Sequence, residues 1–344
     1  MTQPLDAFIR ALPKVELHVH LEGSVHPHTL RELARQKGRL TTETESWIRE
    51  QQARNYRYGS LQEFLKAFKL VTLLLDTPQD YGFAALRLFE SLAAQQVRYA
   101  EITLSAGVIL WKNQSLPDVF EALQQAAQEA DARLSLRVRW IFDAIRQFGA
   151  EHARKVLHWA EVYHDDGVVA FGIGGDEERG PAELFAGVFR DARESGLHVT
   201  AHAGETAGPD SVRQAVERLG AERIGHGVSA ILDPELMELL AARRVPLELC
   251  LTSNVATGIV SSLAEHPLPH FLRAGLCVTV NSDDPAMFGT TLEDELMLLG
   301  QTFGLEAEEI AEICANAARA SFQEAEAKQT LLAEIHDRVL ASSR

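Results

Sequence analysis

Val15-Glu16-Leu17-His18-Val19-His20-Leu21-Glu22-Gly23-Ser24 is the stretch on which the reading of the chain turns. Apolar and polar residues alternate in it as in a β-strand, where successive side chains point to opposite faces, so His18 and His20 project from the same side. One strand can therefore offer two imidazoles to one point. Gly23, followed by Ser24 and Pro27, marks the strand's end and puts the pair near its C-terminal mouth. A histidine pair on a half-polar strand also has a purely structural reading. Partners elsewhere in the chain decide between the two.

The partners must be sought in 344 residues, enough for two average domains or for one large barrel with a substantial core. A hydrophobic share of 46% with 24% charged residues is ordinary for a soluble globular protein. The formal net charge of -16 repels phosphate backbones and anionic membrane surfaces. Nucleic acid and membrane are therefore poor partners, and a small neutral or cationic ligand fits better. The three cysteines, Cys250, Cys277 and Cys314, have neither metal-site nor redox spacing and suit a reducing compartment. MTQPLDAFIRALPK lacks the apolar core of a signal peptide, and no apolar run reaches membrane-spanning length. A cytoplasmic protein is expected.

Outward from the first strand, helical patterns dominate residues 26 to 96. Ser60 is a candidate N-cap with Glu63 completing a capping box, and Leu61, Phe64, Leu65 and Phe68 follow at helical spacing. That stripe either faces the core or forms a lid whose phenylalanines close over an aromatic ligand. Beyond it, short runs rich in Val, Ile and aromatics alternate with longer helical stretches. The strand candidates are Val97 to Leu104, Leu136 to Phe142, Val168 to Ile173, His198 to Ala203, Arg223 to Val228, Val245 to Leu251 and Leu276 to Asn281, which with the first make eight. Helical connectors include Leu116 to Ala132, Glu151 to Tyr163, Pro181 to Ser195, Ser211 to Leu219 and Pro234 to Ala242. Alternating β and α with near-continuously apolar strands predicts an α/β fold, a (β/α)₈ TIM barrel. Residues 1–344 then form one domain, with a helical insertion over 26–96 after strand one and a helical tail over 292–344.

Active sites of such barrels lie at the C-terminal ends of the strands. Strand one ends in His18 and His20, strand four in Gly174-Gly175-Asp176-Glu177, and strand five in His202-Ala203-Gly204-Glu205. Strand six ends in Gly225-His226-Gly227, strand seven in Thr252-Ser253-Asn254, and strand eight in Ser282-Asp283-Asp284-Pro285. The opposite ends read as apolar or helical. Singly, each feature could be structural: a hydrogen-bonded histidine, a turn at Asp283-Asp284-Pro285, a tight connection at Gly174-Gly175. Jointly they predict a metal site. His18, His20, His202 and Asp283, three imidazoles and a carboxylate, suit zinc and leave room for a water whose pKa the metal lowers. Strand four has no lysine that could bridge a second ion, so one metal is expected. Glu205, three residues past His202, can face the site as general acid or base; His226 can orient or deprotonate the water; Asp284 can accept a hydrogen bond; and Gly175 can offer its backbone N–H.

These motifs, in this order and over about residues 10 to 325, closely resemble the adenosine deaminase family of the amidohydrolase superfamily. The resemblance implies a (β/α)₈ barrel with one zinc that releases the 6-amino group of adenine-type compounds as ammonia. It implies that His18, His20, His202 and Asp283 bind zinc. Glu205 would protonate the ring nitrogen N1, His226 would position and help deprotonate the water attacking C6, Asp284 would hold that oxygen and contact N7, and the Gly175 amide would bind N3. Three departures concern the substrate. The residue after the His-x-His-Leu run, usually an aspartate that binds the ribose 5′-hydroxyl, is Glu22. The usual Arg-Tyr-Ser-Pro end of strand two reads Thr103-Leu104-Ser105-Ala106, and the usual Asp-Leu-Ala-Gly-Asp-Glu of strand four reads Gly172-Ile173-Gly174-Gly175-Asp176-Glu177.

Relatives with glutamate at the Glu22 position include enzymes acting on adenine and on 6-amino-6-deoxyfutalosine, a nucleoside with a benzoate group used in menaquinone synthesis. The expected function is zinc-dependent hydrolytic deamination of an adenine-type nucleoside, adenosine or deoxyadenosine or 6-amino-6-deoxyfutalosine, with Glu22, Gly175, Phe64 and Phe68 as substrate contacts. Adenine deamination is the alternative within the class. Outside it stand a metal-dependent phosphoesterase, which would want more cationic groups at the mouths, and a non-catalytic binding protein, which would have no need of Glu205.

Overall fold

In a computed structural model describing residues 4–53 and 57–342, all eight expected strands form. They are β1 Lys14–His20, β2 Val97–Leu104, β3 Arg137–Ile145, β4 Val168–Gly174, β5 His198–Ala203, β6 Arg223–His226, β7 Leu247–Leu249 and β8 Val278–Val280. Each pairs in parallel with its neighbours in chain order. The ring closes where Val19 bridges Asp283 in parallel, with His20 N donating to Asp283 O (2.8 Å) and Asp283 N to His18 O (2.9 Å). The fold is the (β/α)₈ barrel. Val15, Leu17 and Val19 are buried on the outer face of β1, toward the helical layer, where the Ala307–Ala320 helix packs across β1 and β8. Burial on both faces is why parallel strands read as near-continuous apolar runs.

Between β1 and β2 stand four helices, Pro27–Gln36, Thr42–Ala53, Leu61–Thr72 and Pro78–Ala94. The last packs on β2 and on the Leu116–Leu134 helix, as a barrel crossover helix does. Leu61–Thr72 begins at its expected N-cap, with Ser60 Oγ accepting from Glu63 N at 3.2 Å, but the reciprocal Glu63 side-chain bond of a capping box does not form among the described residues.

Strands six to eight are shorter than expected. His226 and Asp283 carry φ of 63° and 61°, a left-handed kink that takes each chain out of the sheet just where its polar residue is needed. Past β7, Leu251 starts a helix, Leu251–Ala256, where the sequence suggests a strand. The segment read as one helix from Ser211 is an α-turn over Pro209–Gln214 that widens into a π-turn over Ala215–Leu219.

The lower barrel is not apolar, contrary to the sequence reading. Arg223, wholly buried, donates to Glu248 and Glu101 and lies over the Phe322 ring at 3.8 Å; Tyr99 Oη also donates to Glu101. One guanidinium between two carboxylates satisfies a polar lumen that would otherwise be costly to bury.

Candidate active site

The site grows from the upper ends of the strands. β1 aims His18 and His20 inward, β5 ends at His202, and the kink at Asp283 swings its carboxylate over the rim. The four ligand-type atoms all lie within 4.8 Å of one another. His20 Nε2 is 3.2 Å from His202 Nε2, and His18 Nε2 and His20 Nε2 are each 3.4 Å from Asp283 Oδ1. Glycine makes this crowding possible: a Cβ on Gly225 would lie 2.7 Å from His18 Cε1, and one on Gly23 would collide with the Asp284 carboxylate.

His18 Nδ1 is held by Glu248 Oε2 at 2.9 Å, which leaves Nε2 facing the cluster with no hydrogen-bond partner among the described residues. Burial pulls the His20 pKa down to about 4, and burial with the charges of His18 and His20 holds His202 well below its ordinary value. Against its burial, Asp283 and Glu248 hold His18 well above its ordinary value, as carboxylates facing an imidazole do where a cation would otherwise stand; His20 and His202 held low, with the orphaned His18 Nε2 beside a carboxylate, are a donor set that fits a divalent metal ion. Ser253 Oγ donates to Asp283 Oδ2 at 2.6 Å and so orients the carboxylate.

Glu205 stands beside this cluster, 3.6 Å from His226 Nε2. Its loop is drawn in by Glu177, which accepts from the N–H groups of Gly204 (2.8 Å), Glu205 (2.8 Å) and Thr206 (3.0 Å), and from Ser211 Oγ. Burial, then the charges of Glu177 and Asp283, push the Glu205 carboxyl well above the usual range. His226 Nε2 also lies 3.8 Å from Asp283 Oδ2. Its Nδ1 accepts from Asn254 Nδ2 at 3.0 Å, whose amide oxygen in turn accepts from His266. Asp284 is buried, pushed well up by burial and by Asp283, and its Oδ1 has no hydrogen-bond partner among the described residues.

Above the cluster opens a cavity of about 270 Å³, walled by Leu61, Phe64, Leu65 and Phe68 on one side and by Ile145, Gly174 and Gly175 on the other. Phe64 stacks on Phe288 and Phe68 meets His20 edge-on, so the stripe packs on neighbouring rings and lines the cavity. Gly175, at φ 99°, lines the cavity close to Gln147. Glu22 lies behind the wall: Oε1 accepts from Ser105 N at 3.1 Å, Oε2 has no hydrogen-bond partner among the described residues, and Ser105 rather than Glu22 faces the cavity.

Sequence reasoning passed over Asp143, Glu177, Glu248 and Ser253. Asp143 ends β3 facing the cavity, its carboxyl pushed to about 8 by burial; the strand-end test finds it once β3 is continued past Phe142. Glu177 and Ser253 stand inside motifs already singled out, but their partners come from other strands. Glu248 sits mid-strand, where no periodicity distinguishes it.

A closed parallel barrel with such a cluster at its C-terminal rim, and a carboxyl raised by burial beside it, is the arrangement of a metal-dependent amidohydrolase. Residues 13–338 match the sequence profile of the adenosine deaminase family, and the chain belongs to that family. It is 38% identical over 333 residues to an aminodeoxyfutalosine deaminase of Streptomyces avermitilis, covering 96% of this chain and 92% of that protein. Among solved structures, an adenine deaminase from Arthrobacter aurescens superposes with a TM-score of 0.91 at 31% identity, covering 96% of this chain and all (100%) of that one. An amidohydrolase from Burkholderia ambifaria with bound Zn superposes at 0.89 with 26% identity, covering 100% and 96%. The chain is thus a hydrolytic deaminase, and no helix among its described residues is long and apolar enough to cross a membrane.

Proposed function

We propose that the whole chain works as one deaminase domain that hydrolyses the 6-amino group from an adenine-type nucleoside in the cytoplasm. The observation that carries this is Glu205, its carboxyl pushed well above the usual range, beside the His18, His20, His202 and Asp283 cluster in a cavity of about 270 Å³ that is also lined by Phe68, Trp111 and Phe148. The four residues would hold one zinc ion, as the donor set and the Zn-bound relative suggest. Bound there, zinc supplies Lewis acidity that makes water acidic enough to attack at neutral pH.

The chain's own groups do the rest. Glu205 delivers its proton to the ring nitrogen beside the carbon under attack, where charge would otherwise build up. With Nδ1 accepting from Asn254, neutral His226 keeps its proton on Nε2 and orients the attacking water by donating to it. Asp284, its carboxyl pushed up by burial and by Asp283, hydrogen-bonds that water, and the proton the water loses is carried off on the departing amine as ammonia. The Gly175 backbone, Phe64 and Phe68 seat the purine, and with Glu22 committed to Ser105 the sugar meets Ser105 first. Closure over the ring excludes bulk water and strengthens each of these contacts.

The test is a panel of adenosine, 2′-deoxyadenosine, adenine, methylthioadenosine and 6-amino-6-deoxyfutalosine, followed by loss of adenine absorbance and by ammonia release. Turnover of at least one nucleoside is expected, abolished by a chelator and restored by zinc. Turnover of adenine alone overturns the nucleoside reading, and turnover indifferent to chelation overturns the metal assignment.

A further inference from the structure

The upper part of β4 offers the barrel lumen no side chain. Its lumen-facing residues there are two glycines, Gly172 and Gly174, and Asp143, which pairs with Gly172 from β3, lays its carboxylate along the trough they leave. A Cβ on Gly172 would lie 2.7 Å from Asp143 Oδ1 and 3.2 Å from Thr200 Oγ1, and one on Gly174 would lie 3.0 Å from Asp143 Oδ2 and 3.3 Å from His202 Nδ1. The acid of β3 thus approaches the polar side chains of β5 across a strand that has none of its own.

Asp143 is 4% exposed and takes a hydrogen bond from the Gly174 backbone, but from no side chain among the described residues. Other buried acids of the barrel have such a partner: Arg223 for Glu248, Ser282 for Glu16, Ser211 for Glu177. A carboxylate buried with so few donors is costly, and a further N–H is what would relieve it. His202 has the complementary gap. Its Nε2 faces the cluster, 3.2 Å from His20 Nε2, while Nδ1 forms no hydrogen bond among the described residues. On the far side of the mouth the same parts are already joined. His18 Nδ1 lies 3.2 Å from where a Cβ on Gly225 would stand, and Glu248, which pairs with Gly225 from the adjoining strand, binds that nitrogen at 2.9 Å. A lumen glycine, a carboxylate from the next strand and an imidazole Nδ1 recur at Gly174, Asp143 and His202.

We propose that Asp143 is a positioning residue for His202: its carboxylate accepts the Nδ1 proton and so keeps the Nε2 lone pair turned to the cluster, as Glu248 does for His18. This rests on the reading that His202 is a metal ligand.

The experiment measures zinc affinity by competition with a chromogenic chelator, the melting temperature of the metal-free protein, and kcat and KM on the fastest nucleoside of the panel above. Asp143→Asn keeps the shape and loses the charge; its zinc affinity falls about 10–100-fold with no loss of metal-free stability, whereas an acid that only fills space would lower the melting temperature and leave zinc affinity alone. Asp143→Ala loses at least as much affinity. Combining Asp143→Ala with Gly172→Asp returns a carboxylate to the same trough from β4 and recovers most of that loss. Unchanged zinc affinity in Asp143→Asn overturns the role of Asp143, as does a change confined to KM, which would mark a substrate contact; the deaminase then stands. A folded double variant that binds zinc no better than Asp143→Ala overturns it too. If the unaltered protein itself binds no zinc, it is the reading of the four-residue site that fails.

Discussion

At the scale of single residues, the site separates groups that touch the substrate from groups that aim them. Glu205→Gln keeps shape and hydrogen-bonding capacity but has no proton to give. Its kcat is expected to fall by about 10²–10⁴-fold with metal content unchanged by elemental analysis; unchanged turnover removes Glu205 from the chemistry. Glu177 acts one step back, because its two oxygens receive three backbone N–H groups and the Ser211 hydroxyl. Glu177→Gln turns an –NH₂ toward donors, so a loss of about 2–3 kcal/mol of stability and a lower kcat are expected from chemical denaturation and kinetics. Glu248 aims a metal ligand instead. Accepting from His18 Nδ1 fixes the tautomer that leaves Nε2 free, and Arg223 keeps Glu248 below the usual carboxylate range despite its burial. Glu248→Gln should weaken zinc binding about 10–100-fold in competition with a chromogenic chelator, and an unaltered affinity sinks that role.

Among elements, the readable and the unreadable divide along a physical line. The bounds of β2 and β5 stand where their apolar runs end, at Leu104 and Ala203. β6, β7 and β8 run short because left-handed backbone at His226 and Asp283, and a helix starting at Leu251, terminate them, and no propensity encodes a kink enforced by packing. His18 and His20 were legible because both lie on one strand. The Arg223, Glu101 and Glu248 cluster was not, since it joins β2, β6 and β7 only after the barrel closes. Glu295 illustrates how such ties behave. From the Leu292–Phe303 helix it accepts from Thr252 N (3.1 Å) and Thr290 Oγ1 (2.7 Å), pinning the helix that carries Ser253, and burial pushes its carboxyl to about 7. A carboxyl raised on folding contributes stability that is complete below its unfolded pKa and is lost as pH rises through the folded one. Relative to Glu295→Gln, the unaltered protein should therefore lose about 3 kcal/mol between pH 4.5 and 7.5. A pH-independent difference between the two melting curves refutes the assignment.

For the whole molecule, the barrel's seam is also its thinnest join. β1 and the end of β8 meet through one bridge at Val19 and Asp283, the two backbone bonds of His20 and Asp283, Leu17 N donating to Asn281 Oδ1 at 3.2 Å, and Ser282 donating from N (3.3 Å) and Oγ (2.9 Å) to the Glu16 carboxylate. β2 and β3, by contrast, pair over six consecutive positions from Tyr99 to Leu104. The proposed metal ligands straddle that seam: His18 and His20 on one side, Asp283 on the other, with His202 across the mouth. A cation bound there would tie the first strand to the last, and its removal would leave the join to these few bonds, with His18 Nε2 and the Asp283 carboxylate facing each other at 3.4 Å. Binding to the folded form alone stabilises by RT ln(1 + [L]/Kd), about 4 kcal/mol at a thousandfold excess over Kd. Stripping the metal should lower Tm accordingly, and the loss should be local before it is global. In native-state hydrogen exchange the amides of His20 and Asp283 should lose protection on chelation, while those of Ile102 and Trp140 on β2 and β3 keep theirs. Uniform loss across all strands would show that the ion stabilises the barrel without closing it, and no loss anywhere would remove it from the fold's stability altogether.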